Sequence, residues 1–164
     1  MKRLLWLTVL VFGCQKEAGA PAADAPPPTP VAAPKATGPD WAAAFKHTIS
    51  ADPAQSQVVV KVEIQPGFHA YTVGETVGKP LALEVSEESA YALDGEVQYP
   101  AGVTKDLPIG KSVIVEGQAE VRAKVKAKTD GKGLAKGTFR YQVCTDEACD
   151  RPRNVPFEVA VSPQ

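Results

Sequence analysis

Apolar residues recur at every second position through most of this chain. Val58, Val60, Val62 and Ile64 alternate with Val59, Lys61, Glu63 and Gln65, the mark of a strand with one face in a core. Leu81, Leu83 and Val85 repeat the pattern around Ala82 and Glu84. Ala119, Val121, Ala123 and Val125 face one way while Glu120, Arg122, Lys124 and Lys126 face the other, which predicts a half-solvated strand. Phe139, Tyr141 and Val143, and then Val155, Phe157, Val159 and Val161, continue the alternation. Pro66-Gly67, Pro100-Ala101-Gly102, Pro108-Ile109-Gly110 and Asp130-Gly131-Lys132-Gly133 punctuate the gaps. A helical period is nearly absent; only Trp41 to Phe45, behind Asp40 as a cap, predicts a short helix packing Trp41 and Phe45 on the domain. Short alternating strands separated by turns predict an all-β fold, an antiparallel β-sandwich of immunoglobulin-like type, with a small barrel as the alternative.

Ahead of this pattern the chain changes character twice. Residues 15–39 hold seven prolines and eight alanines in 25 positions, with no apolar side chain larger than Val31. Nothing there offsets the entropy of ordering, so a partly polyproline spacer is expected, reaching roughly 75 Å at about 3.1 Å per residue. Before it, Lys2 and Arg3 precede an apolar run from Leu4 to Phe12. As a helix this run is roughly 14 Å long, about half a bilayer core, so it reads as an export signal and not a span. Val11-Phe12-Gly13-Cys14 resembles the lipobox of bacterial lipoproteins, which implies cleavage before Cys14 and a lipid on that cysteine. The expected division is residues 1–13 as signal, 14–39 as anchor and linker, and 40–164 as one folded domain.

The net charge of −1 becomes −3 without residues 1–13, because two of the 18 basic residues go and none of the 19 acidic ones does. That balance excludes the basic stripe that a nucleic-acid surface needs. Three cysteines look odd for an exported protein. With Cys14 lipidated, Cys144 and Cys149 remain as a pair in an oxidising compartment.

Four residues, Thr145 to Ala148, separate Cys144 from Cys149 at the point where one strand ends and another begins. A loop of that length sets its flanking residues opposite each other, within reach of a disulfide. Closing so small a ring removes only about 2 kcal/mol of unfolded-state entropy, a weak structural motive. If Phe139, Tyr141 and Val143 point inward, Cys144 lies on the outer face with Arg140 and Gln142. Three readings stay open from spacing alone: a bridge that staples a hairpin, a redox-active pair, and a metal site for which only His47 and His69 would be further ligands, at no recognisable spacing. No Ser-His-Asp order, phosphate-cradling glycine loop or paired helical carboxylates compete, and neither cofactor nor metal is expected.

Tyr141-Gln142-x-Cys144-x4-Cys149-x-x-Pro152, preceded by Pro66-Gly67-Phe68-His69-Ala70-Tyr71 and Tyr99-Pro100-x-Gly102, resembles the N-terminal periplasmic domain of the thiol:disulfide interchange protein DsbD over roughly residues 55–161. The resemblance implies an immunoglobulin-like sandwich whose cysteine pair takes electrons from a thioredoxin-like domain and passes them to periplasmic partners. It implies Cys149 as the sulfur that forms a mixed disulfide, Cys144 as the resolving sulfur, and His69 and Tyr71 as an aromatic pair beside them. Asp106, Leu107, Pro108 and Ile109 fall on the cap loop that shields the pair. That loop is a residue shorter here, with Leu107 and Ile109 in place of an aromatic, and Asp150 and Arg151 replace the aromatic and first proline that often follow the second cysteine.

Asp146 and Glu147 inside the ring disfavour a thiolate, and Arg151 and Arg153 partly oppose them, which predicts thiols that ionise no more readily than usual. The chain has neither the membrane-embedded carrier nor the Cys-x-x-Cys domain of DsbD, so a donor would be a separate thioredoxin-like polypeptide. The lipid on Cys14 would hold the domain on the periplasmic side of a bacterial membrane, and Gln15 after it favours the outer membrane by enteric-type rules. Two functions follow as expectations: a membrane-anchored thiol-disulfide exchange domain, or a non-catalytic immunoglobulin-like binding lipoprotein with a structural bridge.

Overall fold

The computed structural model describes residues 38–161 except 109, 129 and 131. The signal, Cys14, the Ala/Pro-rich linker as far as residue 37, Ile109 and residues 162–164 therefore lie outside the described residues. The chain opens with α1 (Trp41–Ala44), whose N-cap Asp40 accepts a hydrogen bond from Ala43 N at 3.1 Å. Phe45 is already extended and begins β1 (Phe45–Asp52). The aromatic anchors expected of the helix thus part: Trp41 meets Phe68 edge-on, and Phe45 stacks flat on Tyr141 with ring centroids 4.0 Å apart.

Ten further strands follow among the described residues: β2 (Gln57–Ile64), β3 (His69–Tyr71), β4 (Ala82–Val85), β5 (Tyr91–Leu93), β6 (Val103–Leu107), β7 (Gly110–Val115), β8 (Gln118–Ala127), β9 (Leu134–Tyr141), β10 (Val143–Cys144) and β11 (Arg153–Ala160). They make sheets of order β1-β2-β8-β5, β11-β9-β4 and β10-β3-β7-β6, and every paired strand is antiparallel. The predicted strands are present, except that the Phe139–Val143 run breaks at Gln142, where Val143 leaves β9 and enters a different sheet as β10; the alternation names their buried faces. Val58, Val60, Val62 and Ile64 of β2, with Val121, Ala123 and Val125 of β8, share one core with Leu83 of β4, Phe139 of β9 and Phe157 of β11. Tyr91 of β5 ties the layers by donating its hydroxyl to the carbonyl of Val161. Pro156 is accommodated because β11 is an edge strand.

The third sheet divides two cores, and this division positions the site. Val143, Ala70 and Val115 stand in register across β10, β3 and β7 and face the main core. One residue along, parity reverses. Cys144, Tyr71 and Ile114 point the other way and form a second, smaller cluster closed by Leu107. Leu107 belongs to the β6–β7 hairpin, whose register ends at Leu107 opposite Gly110. Asp106 and Leu107, expected in a cap loop, are therefore the last two residues of a strand. No helix among the described residues is long and apolar enough to cross a membrane.

Candidate redox site at the Cys144–Cys149 bridge

The hairpin that carries the cysteines closes on backbone hydrogen bonds. Thr145 N donates to Ala148 O and Asp150 N to Val143 O, each at 2.8 Å. The Thr145 hydroxyl accepts from Ala148 N at 3.1 Å and Glu147 N at 3.3 Å, an arrangement that Ser and Thr favour in turns. Cys144 and Cys149 are left directly opposite, with Cα atoms 4.0 Å apart and their sulfurs bonded. The juxtaposition expected from the four-residue spacing is present, and no metal-binding group of three or more His, Cys, Asp or Glu residues occurs among the described residues.

The two sulfurs occupy unlike surroundings. Cys144 is 0% exposed, in the cluster with Tyr71, Leu107 and Ile114, whereas Cys149 is exposed. Parity does turn Cys144 away from the main core, but that face is not the solvated one that Arg140 and Gln142 suggest, because the β6–β7 hairpin roofs it. His69 and Tyr71 are likewise each only 1% exposed. His69 is the cross-strand partner of Cys144, and Tyr71 places its hydroxyl 3.6 Å from Cys149 Sγ. Their rings meet edge-on, 5.4 Å apart. Of the cap residues, Leu107 reaches the pair. Asp106 does not: it points outward from β6 and its ion pair with Lys111, at 3.8 Å, is open to solvent.

Charges beside the bridge are consumed by neighbours. Arg153 binds Asp150 Oδ2 through Nε at 3.0 Å and Nη2 at 2.6 Å, so it does not offset the acids of the ring. Lys105 of the cap does so instead, reaching Asp146 at 3.4 Å and Glu116 at 3.5 Å and thereby fastening the hairpin roof to the cysteine loop. The hydrogen bond to Asp146 holds its ammonium above the ordinary lysine value. His69 Nδ1 lies 3.9 Å from the same Asp146 oxygen, while its Nε2 is buried without a protein partner. Burial pushes the imidazole below its ordinary value of 6.5; Asp146 opposes this and Lys105 adds to it.

Three residues with no assigned role in the sequence reading help to build the site. Lys105 is one. Gln142 is a splint, accepting from Lys79 N and donating to Asp150 O, both at 3.0 Å. Glu75 is the third, its carboxylate gathering four backbone N–H groups, from Thr76, Val77, Gly78 and Val113. Its signal is an acid between Gly74 and Gly78, where a tight turn crowds amide donors, which hydropathy does not register.

The sequence profile of the family Thiol:disulfide interchange protein DsbD, N-terminal, matches residues 38–160. The chain belongs to this family. Among solved structures it is similar to the Neisseria meningitidis DsbD N-terminal domain in its reduced form, with 20% identity and a TM-score of 0.55 over 74% of this chain and 92% of that one. It is also similar to the complex of the DsbD and PilB N-terminal domains from the same organism (17%, 0.52, covering 76% and 87%). The N-terminal periplasmic domain of ScsB from Proteus mirabilis is a third (12%, 0.50, covering 73% and 47%). Comparison with curated proteins gives no match. The fold is thus the antiparallel, immunoglobulin-like sandwich of DsbD N-terminal domains, as the strand pattern and the resemblance both led one to expect.

Two outcomes are expected. Below pH 6.5 the unfolded chain takes up a proton that buried His69 resists, so stability falls as pH falls through that range. In urea titrations at descending pH, His69→Gln will show a shallower loss, reduced and not abolished because burial also lowers His47. Lys105→Ala will loosen the roof, so that dithiothreitol reduces the bridge about two- to fivefold faster, the modest scale of a solvent-exposed ion pair. Added salt will accelerate the parent in the same way and leave the variant unchanged.

Proposed function

We propose that the Cys144–Cys149 pair cycles between disulfide and dithiol, carrying electrons between a thioredoxin-like donor on a separate chain and extracytoplasmic partners. Residues 1–13 act as the export signal, and a lipid on Cys14 with the 14–39 linker tethers the domain, residues 40–164, on the periplasmic side of a bacterial membrane, the outer one by the Gln15 rule. One observation carries the reading: one sulfur of the bridge is open to solvent and the other is sealed under the cap.

Exchange needs a thiolate in line with the bond it breaks. A donor thiolate attacks Cys149 Sγ from the open side, the Cys144–Cys149 bond breaks, and its electron pair leaves on Cys144 as a mixed disulfide forms on Cys149. The donor's second thiolate attacks its own sulfur in that mixed disulfide and frees Cys149. Two electrons and, at neutral pH, two protons have then entered the domain. The dithiol reduces an acceptor by the reverse order, Cys149 attacking and Cys144 resolving. An apolar roof disfavours charge on Cys144, which restrains reaction with chance disulfides until a partner docks. Membership in the family and the DsbD–PilB complex of Neisseria meningitidis support a protein partner for this face.

A merely structural bridge has little to do here, because the hairpin is already held by its own hydrogen bonds. The test is a Cys144→Ala chain, in which resolution from within the domain is impossible. When it is expressed in a periplasm, a disulfide-linked partner should accumulate on Cys149, be released by dithiothreitol and be missing from Cys149→Ala. No adduct on Cys149, with the fold intact, would leave the binding-lipoprotein reading in its place.

A further inference from the structure

Tyr71 is the side chain that touches the reactive sulfur, and its position is set from behind. After Tyr71 the backbone leaves β3 and returns at once: Leu81 N donates to Tyr71 O at 2.9 Å, and Tyr71 and Pro80 form a bridge. The intervening loop folds around the Glu75 carboxylate. Oε1 accepts from Thr76, Val77 and Gly78 N at 3.0, 2.7 and 3.2 Å, and Oε2 accepts from Val113 N of β7 at 2.7 Å. Burial opposes ionisation of Glu75, and the four N–H groups together outweigh it and hold the acid below its ordinary value. Gln142 ties the far end of the loop, through Lys79 N, to the carbonyl of Asp150, the residue after Cys149.

The loop presses its backbone on the phenol ring. A Cβ at Gly78 would fall 2.0 Å from Tyr71 Cε2, a distance no side chain tolerates, so glycine is required for this approach. Behind the ring, then, is a wall that one carboxylate holds to β7, and in front of it is Cys149 Sγ, 3.6 Å from the hydroxyl.

We infer that Glu75 is a positioning residue for the redox pair: by clamping the 72–78 loop to β7 it seats Gly78 on the Tyr71 ring and aims the phenolic O–H at Cys149, where it donates to the thiolate. The inference deepens the exchange reading proposed above and rests on it for its purpose. Burial, and secondarily the Glu75 charge, raise the Tyr71 phenol above its ordinary value, so it stays protonated and able to donate.

The experiment is the pH dependence of iodoacetamide alkylation in the full chain carrying Cys14→Ser and Cys144→Ala, where Cys149 is the sole thiol. It uses no partner, so it decides the role of Glu75 whether or not the pair exchanges disulfides. Glu75→Gln presents an NH2 group to at least one of the four donors. It is expected to shift the alkylation profile to higher pH, in the direction that Tyr71→Phe shifts it, with the rate near neutrality falling up to about tenfold. In a Tyr71→Phe background Glu75→Gln should add nothing. Should Glu75→Gln not fold, Gly78→Ala carries the test, since it keeps the carboxylate and displaces the ring; the same shift is expected with Tyr71 present and none with Phe. An unmoved profile in the folded variant, or effects of Glu75→Gln and Tyr71→Phe that add in full, would overturn the inference.

Discussion

Everything at this site depends on a covalent bond that crosses from an apolar interior to solvent. Cys144 is sealed and Cys149 is not, so the bond has one approachable end, and an attacking sulfur has one geometry available. The asymmetry comes from ordinary strand parity. Val143 must face the main core with Ala70 and Val115, which turns Cys144 to the opposite side. A two-residue strand leaves no room for adjustment, and the four-residue turn then carries Cys149 out past the roof.

The roof is assembled from chain segments distant in sequence. Leu107 comes from the β6–β7 hairpin, Ile114 from its second strand, and Tyr71 from β3. Two kinds of restraint hold them. Lys105 and Asp146 join the roof to the cysteine loop by an exposed ion pair that is weak and reversible. Glu75 holds the wall behind Tyr71 through backbone hydrogen bonds, of which those from Gly78 and Val113 are partly out of water and harder to break. A site with a fixed back and a loosely fastened lid suits the exchange proposed above, which asks for a pair shielded at rest and reachable when a partner docks.

The strands β2, β8, β9 and β11 were legible because each has one face in the main core and residues of the other face in water, so period two survives in the letters. The cap hairpin was not, because its surroundings invert the usual rule: Val103 is 70% exposed while Ser112 is 1% exposed. β1 was hidden for a related reason. His47 stands where the alternation from Phe45 to Ile49 wants an apolar residue, and it is accommodated among Phe45, Phe139 and Tyr141. At the site, the spacing of the cysteines and the flanking His69-x-Tyr71 were readable. Their burial was not, since it is conferred by a hairpin more than thirty residues further along. Glu75 escaped notice because its partners are amide groups, which have no letter in a sequence.

The reduction potential of the Cys144–Cys149 pair, measured by equilibration with thioredoxin or glutathione buffers, bears on the central claim most directly. An exchange pair of this kind should fall at about −200 to −270 mV. A value below about −300 mV would mark a structural bridge and contradict the account.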